Sequence, residues 1–281
     1  MTHIIVLAAG KGSRLKKTTG KDIIKSLVDI NGITLIEHVL DPWIDYGYNE
    51  GFKYDIVLAD TEEGRKTLST ISQIYSGLNN CDCLKFTLNP YPDLGTGYGT
   101  YLALQKYPEE PCIVIMGDHI LQSEHIELFM KGLPKIGGWH ETYTGVSGIT
   151  SDYTQNRIFY KHNKEIIAVS KANNFHLLDP EFYVGTDMGI MYFGSSRKVL
   201  YDEIKLAYKV GVNHRDPETG KLVLIYRTYK PFGLADLMVI DNMYGQVVPV
   251  VSDIPWFNIN TKYDLDKAKS YLSDWSISCT K

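Results

Sequence analysis

The residues able to do chemistry begin in LAAGKGSR, Leu7 to Arg14. An apolar run stops there in small residues and then in positive charge. Small residues let backbone N–H groups approach an anion closely, and an arginine after them can hold phosphate oxygens bidentately. The string is not a P-loop, which needs GxxxxGK[ST], nor a dinucleotide fingerprint, because Ser13, Arg14 and Leu15 follow Gly10 and Gly12. Taken alone, it could still be an ordinary tight turn with a surface arginine. In IVIMGDHI (113–120), Asp118 ends an apolar run. A hard carboxylate at the carboxyl end of a buried parallel strand faces the ligand crevice and suits Mg²⁺. Its plainer reading is a cap on the next loop. His119 beside it is either a supporting group or a packing residue, not a catalyst. DLGTGYGTYLAL (93–104) adds a glycine-rich helix start whose dipole favours an anion.

Strand and helix signals alternate around these residues. HIIVLAA (3–9), YDIVLAD (54–60), CLKFTLN (83–89) and CIVIMGD (112–118) read as strands. ITLIEHVLDPWIDYG (33–47), TEEGRKTLSTISQIY (61–75), GTYLALQKY (99–107) and SEHIELFMKG (123–132) read as helices. Pro42 should kink the first of these or end a turn, and Ser123 should cap the last. Such alternation predicts an α/β fold with a doubly wound, mixed and mostly parallel sheet. Ligands then lie beyond the strands' carboxyl ends, in the loops after residues 9, 60, 89 and 118.

The second half is less regular. Strands are expected at 145–150, within 157–171 around a turn at 162–164, at 182–194 and in QVVPVVSD. Helices are expected at 196–211 and in the terminal TKYDLDKAKSYLSDW, with 213–221 as an exposed loop. No linker interrupts the chain. The reading is a single domain over 1–281, with the second half (133–281) packed on the first (1–132) as a lid or substrate-binding subdomain.

The chain has 281 residues, 44% of them hydrophobic, enough for a substantial core. Its net charge of −4 argues against a dedicated nucleic-acid binder. No run of about 18 apolar residues suggests a membrane span, and Arg14, Lys16 and Lys17 follow the first short apolar run too soon for a secretory leader. Cys81 and Cys83 are spaced wrongly for a zinc pair. With Cys112 and Cys279 they read as thiols of a reducing cytoplasm.

LAAGKGSRL resembles the motif L-A-A-G-x-G-[ST]-R-[LM] of the nucleotidyltransferases that activate sugar and polyol phosphates. The family's P-K-P-L follows about ten residues later. Here DIIKSLVDING supplies Lys25, with Ile24 and Ser26 in place of the prolines. Gly95, Thr96 and Gly97 fit the family's G-[TN]-[AG] segment at the base and ribose. Asp118 fits its metal-binding aspartate. WFNINTKYDLDKAK (256–269) resembles the W-x-D-x-[DG]-T segment, with amides at both acidic positions. Asn260 is then the first choice for a second metal ligand and Asn258 the second. VGTDMGIMYF (184–193) resembles the acceptor strand through Asp187 and Gly189, and Lys171 takes the place of the lysine that binds the acceptor phosphate. Short strings such as MGDH are most similar to inositol-1-phosphate cytidylyltransferases.

The resemblance implies a Mg²⁺-dependent enzyme whose partners are a nucleoside triphosphate and a phosphorylated acceptor. Leu7, Ala8, Ala9, Gly10, Gly12 and Ser13 would cradle the nucleotide, Arg14 and Lys25 the triphosphate, and Asp118 the metal. CTP with inositol 1-phosphate is the favoured pair. Uridylyl, guanylyl or thymidylyl transfer to a sugar 1-phosphate is the alternative, as are phosphocholine or phosphonate acceptors. The two amides also admit a non-catalytic, nucleotide-binding regulatory subunit of the same fold. A homo-oligomer is compatible with the sequence, which does not reveal an oligomeric state.

Overall fold

The structure is a computed structural model. It describes residues 3–47, 50–77, 83–107, 111–133, 185–194 and 250–273 in full, and the backbone of the helix end at 78–79 and of the strands at 144–150, 156–160, 166–171, 183–184, 212–215, 222–225 and 246–249.

The first half is built on four parallel strands. β1 (His3–Leu7) is buried at every position and lies between β4 (Lys53–Ala59) and β6 (Cys112–Met116), while β5 (Leu84–Asn89) flanks β4. Between β1 and β4 come α1 (Ser13–Thr19), the hairpin of β2 (Asp29–Ile30) with β3 (Ile33–Thr34), and α2 (Leu35–Gly47). α3 (Glu62–Ile74) and the short α4 (Ser76–Asn79) follow β4. α5 (Thr96–Leu104) follows β5, and β7 (His119–Ile120) and α6 (Ser123–Gly132) follow β6.

Three local expectations need correction. α2 runs through Pro42 as one helix, because its apolar face (Leu35, Ile36, Val39, Leu40, Trp43) is buried and packing outweighs one lost backbone bond. α5 starts at Thr96 rather than Gly99. Its small residues let the helix settle on the sheet, where a Cβ on Gly99 would sit 3.4 Å from both Leu7 and Val57. α6 is capped by Gln122, whose side chain and that of His125 form a reciprocal capping box, and Ser123 is the first helical residue instead. Thr61 does cap α3, accepting from Gly64 N–H at 3.2 Å.

The second half joins the same sheet in the antiparallel sense. β11 (Tyr183–Phe193) pairs along one edge with β9 (Asn156–Tyr160) and then β6, and along the other with β8 (Thr144–Thr150). β10 (Ile166–Lys171) pairs antiparallel with β9, and β14 (Gln246–Val251) parallel with β8. Part of the expected loop over 213–221 is a strand: β12 (Val212–Arg215) pairs with β13 (Leu222–Ile225). The expected helix at 196–211 and the turn at 162–164 lie outside the described residues. β15 (Phe257–Asn258) pairs antiparallel with β7, and α7 (Lys262–Ser273) follows it. No helix among the described residues is long and apolar enough to cross a membrane.

Candidate active site

The parallel strands end on a common edge, and a cleft opens there. It is lined by Leu7, Ala8, Ala9 and Gly10 after β1, Asn89, Pro92, Gly95 and Thr96 after β5, and Met116, Gly117 and Asp118 after β6. Lys25, Ser26, Val57 and Gly99 complete the lining. Two glycines are there for room. A Cβ on Gly117 would lie 2.7 Å from that of Ala8, and Gly12, at φ 63°, would press one to 2.7 Å from Lys25 Cβ. Gly12 therefore packs beneath Lys25 and precedes α1.

Lys25 and Asp118 meet at one end of the cleft. Lys25 Nζ donates to Asp118 Oδ2 at 2.5 Å and to Asn260 Oδ1 at 3.0 Å. Arg14, carried on α1, donates to the same Asn260 oxygen at 2.8 Å. Asn260 Nδ2 in turn donates to Asn258 Oδ1 at 2.5 Å. This sets the amides so that Asn260 offers its carbonyl to the cations while the Asn258 carbonyl is engaged within the pair. The segment is held in place by Ile259 N–H donating to Asp118 O at 3.0 Å, and by Asp264 Oδ2 accepting from the Asn260 and Thr261 N–H groups.

Burial by itself would raise the Asp118 carboxyl. The Lys25 ammonium, with His119 and Arg14, outweighs it and holds the group below the usual carboxylate range. Its Oδ1 is buried and has no hydrogen-bond partner. An ionised carboxylate with one open oxygen, next to an amide carbonyl, is a hard-oxygen donor set that fits a divalent cation of the Mg²⁺ kind. No group of three His, Cys, Asp or Glu side chains that could hold a metal occurs among the described residues. Among the described residues, such a site would draw on one carboxylate and amide oxygens.

The other expected residues divide by position. Leu7, Ala8, Ala9, Gly10, Gly95 and Thr96 line the cleft, whereas Ser13 is exposed on α1 and Gly97 is buried within α5. Asp187 and Gly189 lie on β11 and reach the site through His119. Lys171 ends β10 opposite Asn156, and its side chain lies outside the described residues. Sequence reasoning missed Asn89, which ends β5, is 1% exposed and accepts from Tyr91 N–H at 2.8 Å. The loop after residue 89 was expected at the ligand edge, and the strand's last polar residue was the signal available there.

Residues 4–139 match the family model of the MobA-like NTP transferase domain. This stretch is an NTP transferase domain. The chain is accordingly an enzyme of the nucleotidyl-transferring class. Solved structures share the fold over the full length. The inositol-1-phosphate CTP transferase from T. maritima is 17% identical with TM-score 0.63, covering 100% of this chain and 98% of its own. A Bacillus anthracis protein described as a glucose-1-phosphate thymidylyltransferase, solved with sucrose, is 18% identical with TM-score 0.65, covering 98% and 96%. A search of curated proteins by sequence finds no match.

Proposed function

We propose that this NTP transferase moves a cytidylyl group from CTP to a polyol phosphate such as inositol 1-phosphate and releases pyrophosphate. The observation that carries the reading is the convergence of Lys25, Arg14, Asp118 and Asn260 beside the small-residue loop 7–10. The full-length likeness to an inositol-1-phosphate CTP transferase supports the acceptor class. The similar likeness to a protein described as a thymidylyltransferase makes thymidylyl transfer to a sugar 1-phosphate the second reading.

In this reaction an oxygen of the acceptor phosphate attacks the α-phosphorus in line. The new P–O bond forms as the bond to the β-phosphate breaks, and pyrophosphate carries off the electron pair. The acceptor oxygen is already anionic near neutral pH, so no side chain has to remove a proton. What remains is positioning and charge neutralisation. The loop 7–10 presents backbone N–H groups to the triphosphate. Lys25 and Arg14 exchange Asn260 for phosphate oxygens. Asn89, buried at the cleft wall, reads a base edge, and Lys171 holds the acceptor phosphate. Asp118 and Asn260 would hold the divalent cation, which would supply Lewis-acid charge neutralisation.

The test is pyrophosphate release with Mg²⁺, each of CTP, UTP, GTP and dTTP, and a panel of inositol, sugar and choline phosphates. Release requiring both CTP and a polyol phosphate is expected. Faster turnover with dTTP and a sugar 1-phosphate transfers the assignment to the second reading. No release with any pair overturns both.

A further inference from the structure

His119 is 8% exposed and sits where three strands of the site meet. Its backbone pairs with Asn258 in the β7–β15 ladder. Its ring packs against Trp256, centroids 5.1 Å apart. Its Nδ1 bonds the Met188 carbonyl at 2.6 Å, which requires N–H at Nδ1 because a carbonyl only accepts. The opposite edge, Nε2, then faces Asp118 Oδ1 at 3.6 Å. The two described buried polar atoms without a hydrogen-bond partner, Asp118 Oδ1 and Trp256 Nε1, both belong to residues flanking this ring.

β11 is shaped to receive it. The ladder with β8 shifts register between Asp187 and Ile190. At that irregularity Gly189 adopts φ 70° and donates its N–H to Asp187 Oδ1 at 2.8 Å. A Cβ on Gly189 would lie 2.5 Å from His119 Nδ1 and 2.6 Å from Met116 Cγ, so the strand leaves room for this ring only with glycine there. Such irregularities re-aim groups within a sheet, and here the Met188 carbonyl is aimed at His119.

We propose that His119 is a positioning residue that ties the bend of β11 at Asp187–Gly189 to the Asp118 carboxylate and so fixes the carboxylate's open oxygen for a divalent cation. The ring cannot turn without breaking its bond to Met188, so its far edge is a fixed wall beside Asp118 Oδ1. The inference rests on the metal role given to Asp118 above. It adds that the strand carrying Asp187 and Gly189 sets the quality of that metal site.

Binding of Mn²⁺ alone to the folded protein, followed by the loss of the free-ion EPR signal, tests it. Two polar variants separate the ring's edges. His119→Asn keeps an amide N–H near the Nδ1 position for Met188, whereas His119→Gln moves its amide out towards the Nε2 position. Outer partners of metal ligands are typically worth about 10- to 100-fold in affinity. Each variant breaks one end of the connection, His119→Gln the bond to Met188 and His119→Asn the wall beside Asp118, so each should weaken Mn²⁺ binding about tenfold or more. Gly189→Ala, which touches no ligand, should weaken it as His119→Gln does. Parent-like affinity in either variant overturns the proposal. Asp118→Asn separates the two levels: if it binds Mn²⁺ like the parent, the metal role of Asp118 fails. A parent that releases pyrophosphate yet binds no Mn²⁺ by itself keeps the proposed reaction and overturns the positioning role.

Discussion

Lys25 Nζ lies 2.5 Å from Asp118 Oδ2 across 93 residues of sequence. The same ammonium reaches Asn260 Oδ1, so a protein cation rests on one oxygen assigned to a divalent ion and on the carboxylate that carries the other. Both side chains are largely buried, at 10% and 20% exposure, where a charge without a partner is costly. Lys25 and the metal are therefore expected to compete for one seat until a triphosphate gives the lysine another anion. Lys25→Met should raise the affinity of the nucleotide-free protein for Mn²⁺ about tenfold, or 1.4 kcal/mol. It should also lower pyrophosphate release by about 10²- to 10³-fold, the scale for losing one well-placed charge-stabilising donor. Titration calorimetry and a coupled phosphate assay read the two effects. Unchanged Mn²⁺ affinity would sink the shared seat.

Asp118→Asn keeps an oxygen for Lys25 and removes the charge. Turnover should disappear while circular dichroism remains that of the parent. The stability loss should be about 1–3 kcal/mol, the cost of weakening a charged hydrogen bond in a buried place. Chemical denaturation measures it. Turnover within threefold of the parent would remove Asp118 from the site.

Gly10 and Gly12 share one loop and should respond differently. A Cβ on Gly10 meets nothing within 4 Å, whereas Gly12 is at φ 63° and would drive a Cβ to 2.7 Å from Lys25 Cβ. Gly12→Ala should cost about 1–2 kcal/mol from the left-handed backbone alone, and it should raise the KM for the nucleotide by displacing Lys25. Gly10→Ala should change stability by less than about 0.5 kcal/mol. Paired melting curves decide it, and equal costs would contradict the loop geometry.

His125 gives the protein an acid-side weakness. Burial lowers its pKa below the ordinary 6.5, despite its bonds to the Ile254 carbonyl and the Gln122 backbone. Gln122 N–H donates to Nδ1, so Nδ1 must be unprotonated for the capping box of α6 to survive. The unfolded chain takes up the proton first, so stability should fall as pH drops from about 6.5 towards the lower folded-state value. Melting temperature measured between pH 7.5 and 5 should show this slope, and His125→Gln should flatten it. A slope the same in both proteins would place its origin elsewhere.

The alternation of apolar strands and amphipathic helices made the parallel half legible, because each run carries its period within a few residues. Caps and helix starts were less legible. Ser123 is a good cap by type, but Gln122 and His125 win by bonding each other's backbone, with His125 also tied to the Ile254 carbonyl. Pro42 should kink α2 or end a turn, and the helix runs through it with its apolar face buried.

The sequence by itself determined the loop chemistry at 7–14, the carboxylate at the end of β6 and the amides before α7. Each is a property of a short string, set by residue type and local backbone. Only the tertiary structure decided which of them meet. Arg14 and Lys25 converge on one Asn260 oxygen because α1, the segment after it and the stretch from β15 to Asn260 all pack at the carboxyl edge of β1 and β6. The sequence left His119 open between a supporting group and a packing residue, and its surroundings were decided only by the fold. They depend on Met188 and Gly189, about 70 residues away, and on a register shift in β11 that no local pattern encodes.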